Sequence, residues 1–256
     1  MKILHSNLIG NSERELFIIH GFLGMGDNWK TLAKQFSALG FELHLIDQRN
    51  HGRSFHDSEF NYEVLVSDLL HYCEYYAIKN CIVLGHSMGG KTAMLFAALY
   101  PKLVSRLIIA DISPRFYPVH HEAILEGLTS LDFQKITTRK KADLQLSHYV
   151  QDLGTRQFLL KNIFWESTGV LGLRINLPVL RDNLSEVGEA LSPSLSYSKK
   201  TLFLRGDKSE YISLQDEVQI RLQFPNSSVK SITNSGHWLH AENPVEFYES
   251  VRSFIT

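Results

Sequence analysis

The stretch that decides the fold is Cys81-Ile82-Val83-Leu84-Gly85-His86-Ser87-Met88-Gly89-Gly90. Apolar, β-favouring residues run into its first glycine, and the helical pattern of residues 91–100 follows at once. This order predicts a sharp strand-to-helix turn with Ser87 at its apex, the arrangement called a nucleophile elbow. The glycines at 85 and 89 have a steric reason, because a Cβ at either position would collide with the neighbouring strand or helix.

The G-x-S-x-G pattern alone does not establish catalysis, because it also occurs in glycine-rich loops. A catalytic serine in this setting needs backbone N–H donors upstream of it. It also needs a carboxylate and then a histidine downstream, each at the end of a strand. The rest of the chain can therefore be searched for these partners.

Composition restricts the classes of protein that fit. The chain has 256 residues, 44% hydrophobic and 21% charged, with a formal net charge of −1. This balance fits one globular domain with room for an insertion and a small-molecule substrate, and it argues against a nucleic-acid partner. Two cysteines, no apolar run of about 18 residues and no leader-like start predict a cytoplasmic protein without a membrane span. The sequence predicts no particular oligomeric state.

Strands and helices alternate along most of the chain, which predicts a mainly parallel central sheet flanked by helices. Strands are predicted at 3–9, 16–20, 41–46, 81–84, 106–111, 201–205 and 228–233. Between the strand at 106–111 and the strand at 201–205, we predict helical segments at 119–130, 138–150, 155–165 and 178–191, and no strand. We therefore predict a core domain of residues 1–113 and 200–256, with a helical lid of residues 114–199 inserted before the penultimate strand.

The glycine-rich loop at residues 21–26 follows the second predicted strand. It lacks the Gly-Lys-Ser/Thr ending of a phosphate loop and the spacing of a dinucleotide fingerprint. We therefore predict that the backbone N–H of Phe22 joins that of Met88 in an oxyanion hole. The polar loop at 47–54 has two interpretations, a brace for this glycine-rich loop or a plain hydrogen-bonded turn.

His237 is the candidate base among twelve histidines. It follows the last predicted strand on a glycine-containing turn, and it comes last in the order serine, acid, histidine. From the residues alone, the acid remains open between Asp111, Asp207 and Glu210. His86 adjoins the nucleophile, but neighbouring side chains in such a turn diverge, so we predict that it lines the pocket.

Five segments together resemble the α/β-hydrolase superfamily, and more narrowly the YbfF-type esterases and their mitochondrial α/β-hydrolase-domain relatives. They are residues 20–24, 49–54, 85–91, 111–114 and 236–242. The resemblance covers essentially the whole chain and is weakest in the lid. It implies the α/β-hydrolase fold, with Ser87 as nucleophile, His237 as base, Phe22 and Met88 as oxyanion donors, and no cofactor or metal.

The resemblance also bears on the acid. Many members of the superfamily carry the acid at the position that Ser209 holds here, whereas the YbfF-type group uses an aspartate after the strand that follows the elbow helix. This points to Asp111, with Ser209 as a hydrogen-bond partner of His237.

The activity implied by the resemblance is hydrolysis of short to medium acyl esters, extending to acyl-CoA thioesters. Leu23, His86 and Trp238 are the predicted pocket residues. Alternatives that share the same triad are a cofactor-free haloperoxidase, a carbon-carbon hydrolase and an elimination enzyme. A non-catalytic ligand-binding member of the fold is the alternative from a different class.

Overall fold

The computed structural model describes residues 2–256, and its centre is a seven-stranded sheet. The strands of these residues are β1 (Ser6–Ile9), β2 (Glu15–Ile19), β3 (Glu42–Ile46), β4 (Cys81–His86), β5 (Val104–Ala110), β6 (Ile163–Ser167), β7 (Val170–Leu173), β8 (Thr201–Gly206) and β9 (Ser227–Ile232). The sheet has the order β1-β3-β2-β4-β5-β8-β9, and β6 pairs only with β7. Within the sheet β1 is antiparallel to β3 and every other pair is parallel, which confirms the predicted architecture.

Helices cover both faces of the sheet. They are α1 (Lys30–Ser37), α2 (Tyr62–Tyr75), α3 (Met88–Leu99), α4 (Glu122–Thr129), α5 (Arg139–Leu146), α6 (Leu153–Leu160), α7 (Leu177–Asp182), α8 (Leu184–Gly188), α9 (Leu214–Gln223), α10 (Leu239–Glu242) and α11 (Pro244–Ile255). Side chains of α1 and α11 form one apolar core against the sheet, and those of α2, α3 and α9 form the other. The inner strands β2, β3, β4, β5 and β8 are mostly buried on both faces, as a parallel sheet requires.

The segment between β5 and β8 carries its own apolar core. Helices α4 to α7 and the β6-β7 hairpin bury residues such as Leu128, Leu146 and Leu159 together with Phe22 and Met88 of the sheet domain. The inserted segment therefore packs directly on the two residues whose backbone N–H groups were predicted as oxyanion donors.

The prediction that this segment is entirely helical was wrong. Helix α6 ends at Leu160, and an antiparallel hairpin follows, with Gly169 at the turn in the left-handed region (φ +81°). Aromatic and β-branched residues flank that glycine, a pattern that favours a hairpin over a helix.

The outer boundaries of the core elements lie within a few residues of the predicted ones. The helix after the elbow begins at Met88, three residues before the predicted start. Among residues 2–256, no helix is both long enough and apolar enough to cross a membrane.

Candidate active site

Ser87 sits at the apex of the turn between β4 and α3. Its backbone has φ 53° and ψ −122°, a strained conformation for a residue with a side chain. A Cβ on Gly85 would lie 2.2 Å from the carbonyl oxygen of Gly89, and a Cβ on Gly89 would lie 2.4 Å from that of His20. The glycines therefore let the helix approach the strand ends closely, for the steric reason expected from the sequence.

The structure brings Asp111, and not Asp207 or Glu210, against His237. The Nδ1 atom of His237 lies 2.8 Å from Oδ2 of Asp111, whose side chain is completely buried. The backbone N–H of Gly206 donates to the other carboxylate oxygen of Asp111 at 3.1 Å. Asp207 instead accepts hydrogen bonds from two backbone N–H groups of the loop that precedes His237, which lower its pKa.

Ser209 contacts the acid and not the histidine. Its hydroxyl donates to Oδ2 of Asp111 at 2.5 Å, the oxygen that also faces His237. The expectation of a direct hydrogen bond to His237 was therefore wrong. This hydrogen bond helps to fix the position of the carboxylate oxygen that faces the imidazole.

Two aromatic side chains fix the position of His237. The Tyr211 ring stacks on the imidazole with centroids 3.9 Å apart, and Nε2–H of His86 donates to the backbone carbonyl of His237 at 2.9 Å. Burial lowers the pKa of His86 well below its usual range, so this ring is a neutral donor. The Ser87 hydroxyl makes no hydrogen bond to His237 in the structure. Such contacts often form only in the substrate complex.

The backbone N–H groups of Phe22 and Met88, the predicted oxyanion donors, donate no hydrogen bond to any of residues 2–256. Phe22 lies in a turn closed by the hydrogen bond from Gly24 N–H to the carbonyl of Gly21. A Cβ on Gly21 would lie 3.2 Å from Cβ of Ser87, which shows how closely this turn approaches that serine.

The polar loop at 47–54 supports this turn from below, which fits both interpretations of its sequence. His51 Nε2 accepts the N–H of Leu23 at 3.2 Å, and its Nδ1–H donates to the carbonyl of Arg49. Gln48 donates to the carbonyl of His20 and accepts from Thr92 on α3. Burial lowers the pKa of His51 to about 3 and keeps it neutral, as its acceptor role requires.

Two cavities flank the site. A small one of about 20 Å³ is bounded by Ser87 and Met88, by Tyr117 and His121, and by Leu184 of α8. A larger one of about 410 Å³ is lined by Gly21 and His86 together with Trp29, Phe158 and Trp238.

Not all of the predicted pocket residues line a cavity. His86 and Trp238 border the larger cavity. Leu23 borders neither one, because it is buried in the core of the inserted segment. Trp29 belongs both to the apolar core and to the wall of the larger cavity. It is 2% exposed and stacks on His240.

Sequence reasoning missed three residues that hold the site together. Lys91 of α3 is fully buried and donates to the carbonyls of Gly188 and Glu189, which tie α8 to the helix that begins after Ser87. Tyr211 stacks on His237, and Asn162 donates to the carbonyl of Leu23 at 2.8 Å. Each contact joins residues far apart in the sequence, so no local pattern indicates it.

A second carboxylate and histidine pair lies at the opposite, amino-terminal ends of the strands. Nε2 of His44 is 2.6 Å from Oε2 of Glu15, and its Nδ1 is 2.7 Å from the hydroxyl of Tyr72. Glu15, Glu42 and His44 are three potential metal ligands whose ligand atoms lie within 4.8 Å of one another. Burial lowers the pKa of His44 to about 4, so its imidazole is neutral.

Comparisons with known proteins agree with this architecture. The family model described as the alpha/beta hydrolase fold matches residues 16–244. The sn-1-specific diacylglycerol lipase ABHD11 of Danio rerio is 36% identical over 94% of this chain and 78% of its own length. Esterase YbfF of Escherichia coli is 31% identical over 94% of this chain and 92% of its own. A solved marine microorganism esterase superposes with a TM-score of 0.95 at 36% identity, covering 99% of this chain and all of that one.

Proposed function

Because the chain belongs to the α/β-hydrolase family, we propose that it is a serine carboxylesterase that acts through an acyl-enzyme on Ser87. One observation carries the proposal. A buried aspartate, Asp111, holds Nδ1 of His237 at 2.8 Å, and His86, which precedes the strained Ser87, donates to the carbonyl of that histidine. The esterase and lipase names of the relatives support the reaction class.

The proposed reaction begins when the Ser87 oxygen attacks the acyl carbon of the ester. Nε2 of His237 accepts the serine proton, and Asp111 stabilises the imidazolium that forms. The N–H groups of Phe22 and Met88 hold the negatively charged oxygen of the tetrahedral intermediate. The intermediate collapses, the C–O bond to the alcohol breaks, and His237 gives the alcohol its proton. Water, deprotonated by His237, then releases the acid from Ser87 by the same steps.

We further propose that residues 114–199 act as a lid. The small cavity beside Ser87 has a volume of about 20 Å³, which is too little for an acyl group, and Leu184 and Tyr117 of the inserted segment form its wall. Substrate therefore requires movement of this wall, because neither Ser87 nor His237 lines the larger cavity. Closure over the substrate would exclude water from the acyl-transfer step.

The substrates proposed are short to medium acyl esters. The larger cavity, about 410 Å³, borders Gly21 and His86 but not Ser87, and it has a size typical of small-molecule sites and a lining rich in aromatic side chains. Acyl-CoA thioesters undergo the same chemistry with a thiol as leaving group. Diacylglycerol is the substrate in the name of the Danio rerio relative and belongs in the same panel. A cytoplasmic location stays a prediction from the sequence.

Covalent labelling and hydrolysis test this proposal together. Wild type should hydrolyse p-nitrophenyl esters from acetate to octanoate and react with a fluorophosphonate probe. Ser87→Ala should lose both, with kcat falling by about 10⁶-fold as for other serine hydrolases that lose the nucleophile. Ser105→Ala is the matched control, because its hydroxyl donates to the carbonyl of Cys81 at the far end of β4.

Two results would contradict the proposal. Folded wild-type protein that neither labels nor hydrolyses any ester or thioester would favour the non-catalytic binding member of the fold. Hydrolysis that survives Ser87→Ala would assign the reaction to another group.

A further inference from the structure

Leu23, the residue after the proposed oxyanion donor Phe22, has an unusual backbone conformation. Its φ is 59°, in the left-handed region that residues with side chains rarely occupy. It is the third residue of the turn closed between Gly21 and Gly24, a position at which a type II turn requires positive φ and normally has glycine. A leucine there must be held in place by its surroundings.

Both peptide groups of Leu23 are held by side chains from other parts of the chain. Its N–H donates to Nε2 of His51 at 3.2 Å, and its carbonyl accepts from Nδ2 of Asn162 at 2.8 Å. His51 belongs to the sheet domain, whereas Asn162 comes from the inserted segment, between α6 and β6.

Asn162 makes this contact at a cost. The residue is completely buried, and its side-chain oxygen has no hydrogen-bond partner among the residues that the structure describes. An unpaired buried carbonyl is unfavourable, and such groups are rare in folded proteins. The hydrogen bond to Leu23 is the one interaction that an amide side chain supplies at this position and an apolar one of similar size does not.

The inserted segment also packs against the same turn through its apolar core. The side chains of Phe22 and Leu23 are buried together with Met88 in the cluster formed by that segment. Within the described part of the chain, the N–H groups of Phe22 and Met88 have no acceptor, so their directions depend on how the flanking residues are held.

We propose that Asn162 is a positioning residue for the oxyanion hole, which keeps Leu23 in its left-handed conformation and so aims the Phe22 N–H at the substrate oxygen. The inference rests on the proposed esterase function, in which that N–H stabilises the tetrahedral intermediate. The inserted segment thereby contributes to the rate of the reaction as well as to the shape of the pocket.

Asn162→Leu tests this inference, because leucine has a similar size and removes both the donor and the unpaired oxygen. We expect kcat for p-nitrophenyl butyrate to fall at least tenfold while KM stays within twofold, since the interaction matters chiefly in the transition state. The loss should stay below the roughly 10²- to 10³-fold caused by deleting an oxyanion donor outright. Inhibition by a trifluoromethyl ketone, which mimics the tetrahedral intermediate, should weaken by the same factor as kcat.

Asn226→Leu is the matched control. The side-chain amide of Asn226 also joins the sheet domain to the inserted segment, but its acceptor is the carbonyl of Ser198 and not the oxyanion turn. It should leave kcat and inhibition by the ketone within twofold of wild type. If Asn162 had a purely structural role, Asn162→Leu would lose thermal stability and keep its kcat.

The outcomes separate this inference from the proposed function. If Ser87→Ala is inactive but Asn162→Leu keeps kcat within twofold, the positioning role is overturned and the esterase stands. If Ser87→Ala keeps its activity, the esterase proposal itself fails. Should the leucine prevent folding, Asn162→Ala serves the same comparison, and an unchanged kcat in that folded variant overturns the inference equally.

Discussion

Two carboxylate and histidine pairs lie at opposite ends of the same parallel sheet, and their burial is reversed. In the pair at the carboxyl ends of the strands, Asp111 is 0% exposed and His237 is 21% exposed. In the pair at the amino ends, the Glu15 side chain is 18% exposed and that of His44 is 2% exposed. One pair buries its acid and opens its base, while the other does the opposite.

The difference teaches which feature suits such a pair to catalysis. Both pairs have short contacts, so the contact itself does not distinguish them. Nε2 of His237 makes no hydrogen bond to residues 2–256, and the side chain is 21% exposed. The second ring nitrogen of His44 is instead hydrogen-bonded to Tyr72, whose hydroxyl also bonds Ser6. A histidine whose two ring nitrogens are both hydrogen-bonded within the fold can stabilise the fold but cannot receive a proton from a substrate or nucleophile.

The largest effect is expected when the acid of the first pair is replaced. Asp111→Asn should lower kcat by at least 10²-fold and by up to about 10⁴-fold, because the histidine loses the group that fixes its tautomer and stabilises its charge. Glu15→Gln, the equivalent change at the other end of the sheet, should leave kcat within twofold. Steady-state kinetics with p-nitrophenyl butyrate measures both.

Asp207→Asn is a further control for the acid, because Asp207 binds only backbone N–H groups of the neighbouring loop. A strong loss of kcat in Asp207→Asn, with Asp111→Asn near normal, would reverse the assignment of the acid.

A second expected effect concerns acid stability. Burial lowers the pKa of His44 to about 4, below the usual 6.5, so the unfolded chain binds this proton first as the pH falls. The free energy of unfolding should therefore decline between about pH 6.5 and 4, by about 1.4 kcal/mol per pH unit from this residue. Five further histidines have pKa values that burial lowers in the same way: His20, His51, His86, His121 and His240.

Urea unfolding at pH 7.5, 6.0 and 5.0 measures this decline. Removing the titratable ring with His44→Gln should make the decline shallower by about one proton. A slope identical to that of wild type would show that His44 is not held neutral in the folded protein.

The smallest expected effects compare the groups that support each pair. Ser209→Ala removes a hydrogen bond to the Asp111 carboxylate and should lower kcat about three- to tenfold. Tyr72→Phe removes the partner of the His44 ring and should leave kcat unchanged while lowering the free energy of unfolding by about 1 to 3 kcal/mol. Kinetics and urea unfolding of both variants separate the two roles, and a kcat effect in Tyr72→Phe would contradict them.

The parts of the site that follow from local rules could be predicted from the sequence. The elbow is fixed by the steric demand for glycine at 85 and 89, and the parallel sheet follows from alternating strands and helices. The acid could not be chosen by spacing, because three carboxylates follow suitable strands. Only the family resemblance favoured Asp111, which the structure places against His237.

Interactions between distant segments could not be predicted. The contact of Asn162 with Leu23 joins residues 139 positions apart, and that of Lys91 with Gly188 joins residues 97 apart. No periodicity or turn signal refers to such a partner. The missed hairpin is a different case, because Gly169 and its flanking β-favouring residues carried a local signal that the helical interpretation of 155–165 passed over.

The shared packing of Phe22 and Met88 with the inserted segment has a consequence for protein engineering. A chimaera that takes residues 114–199 from a relative would replace the neighbours of both side chains at once. The graft would alter turnover on every substrate, however well the new segment suited a chosen one. Transferring selectivity between relatives therefore requires residues 22 and 88 to be redesigned together with the grafted segment.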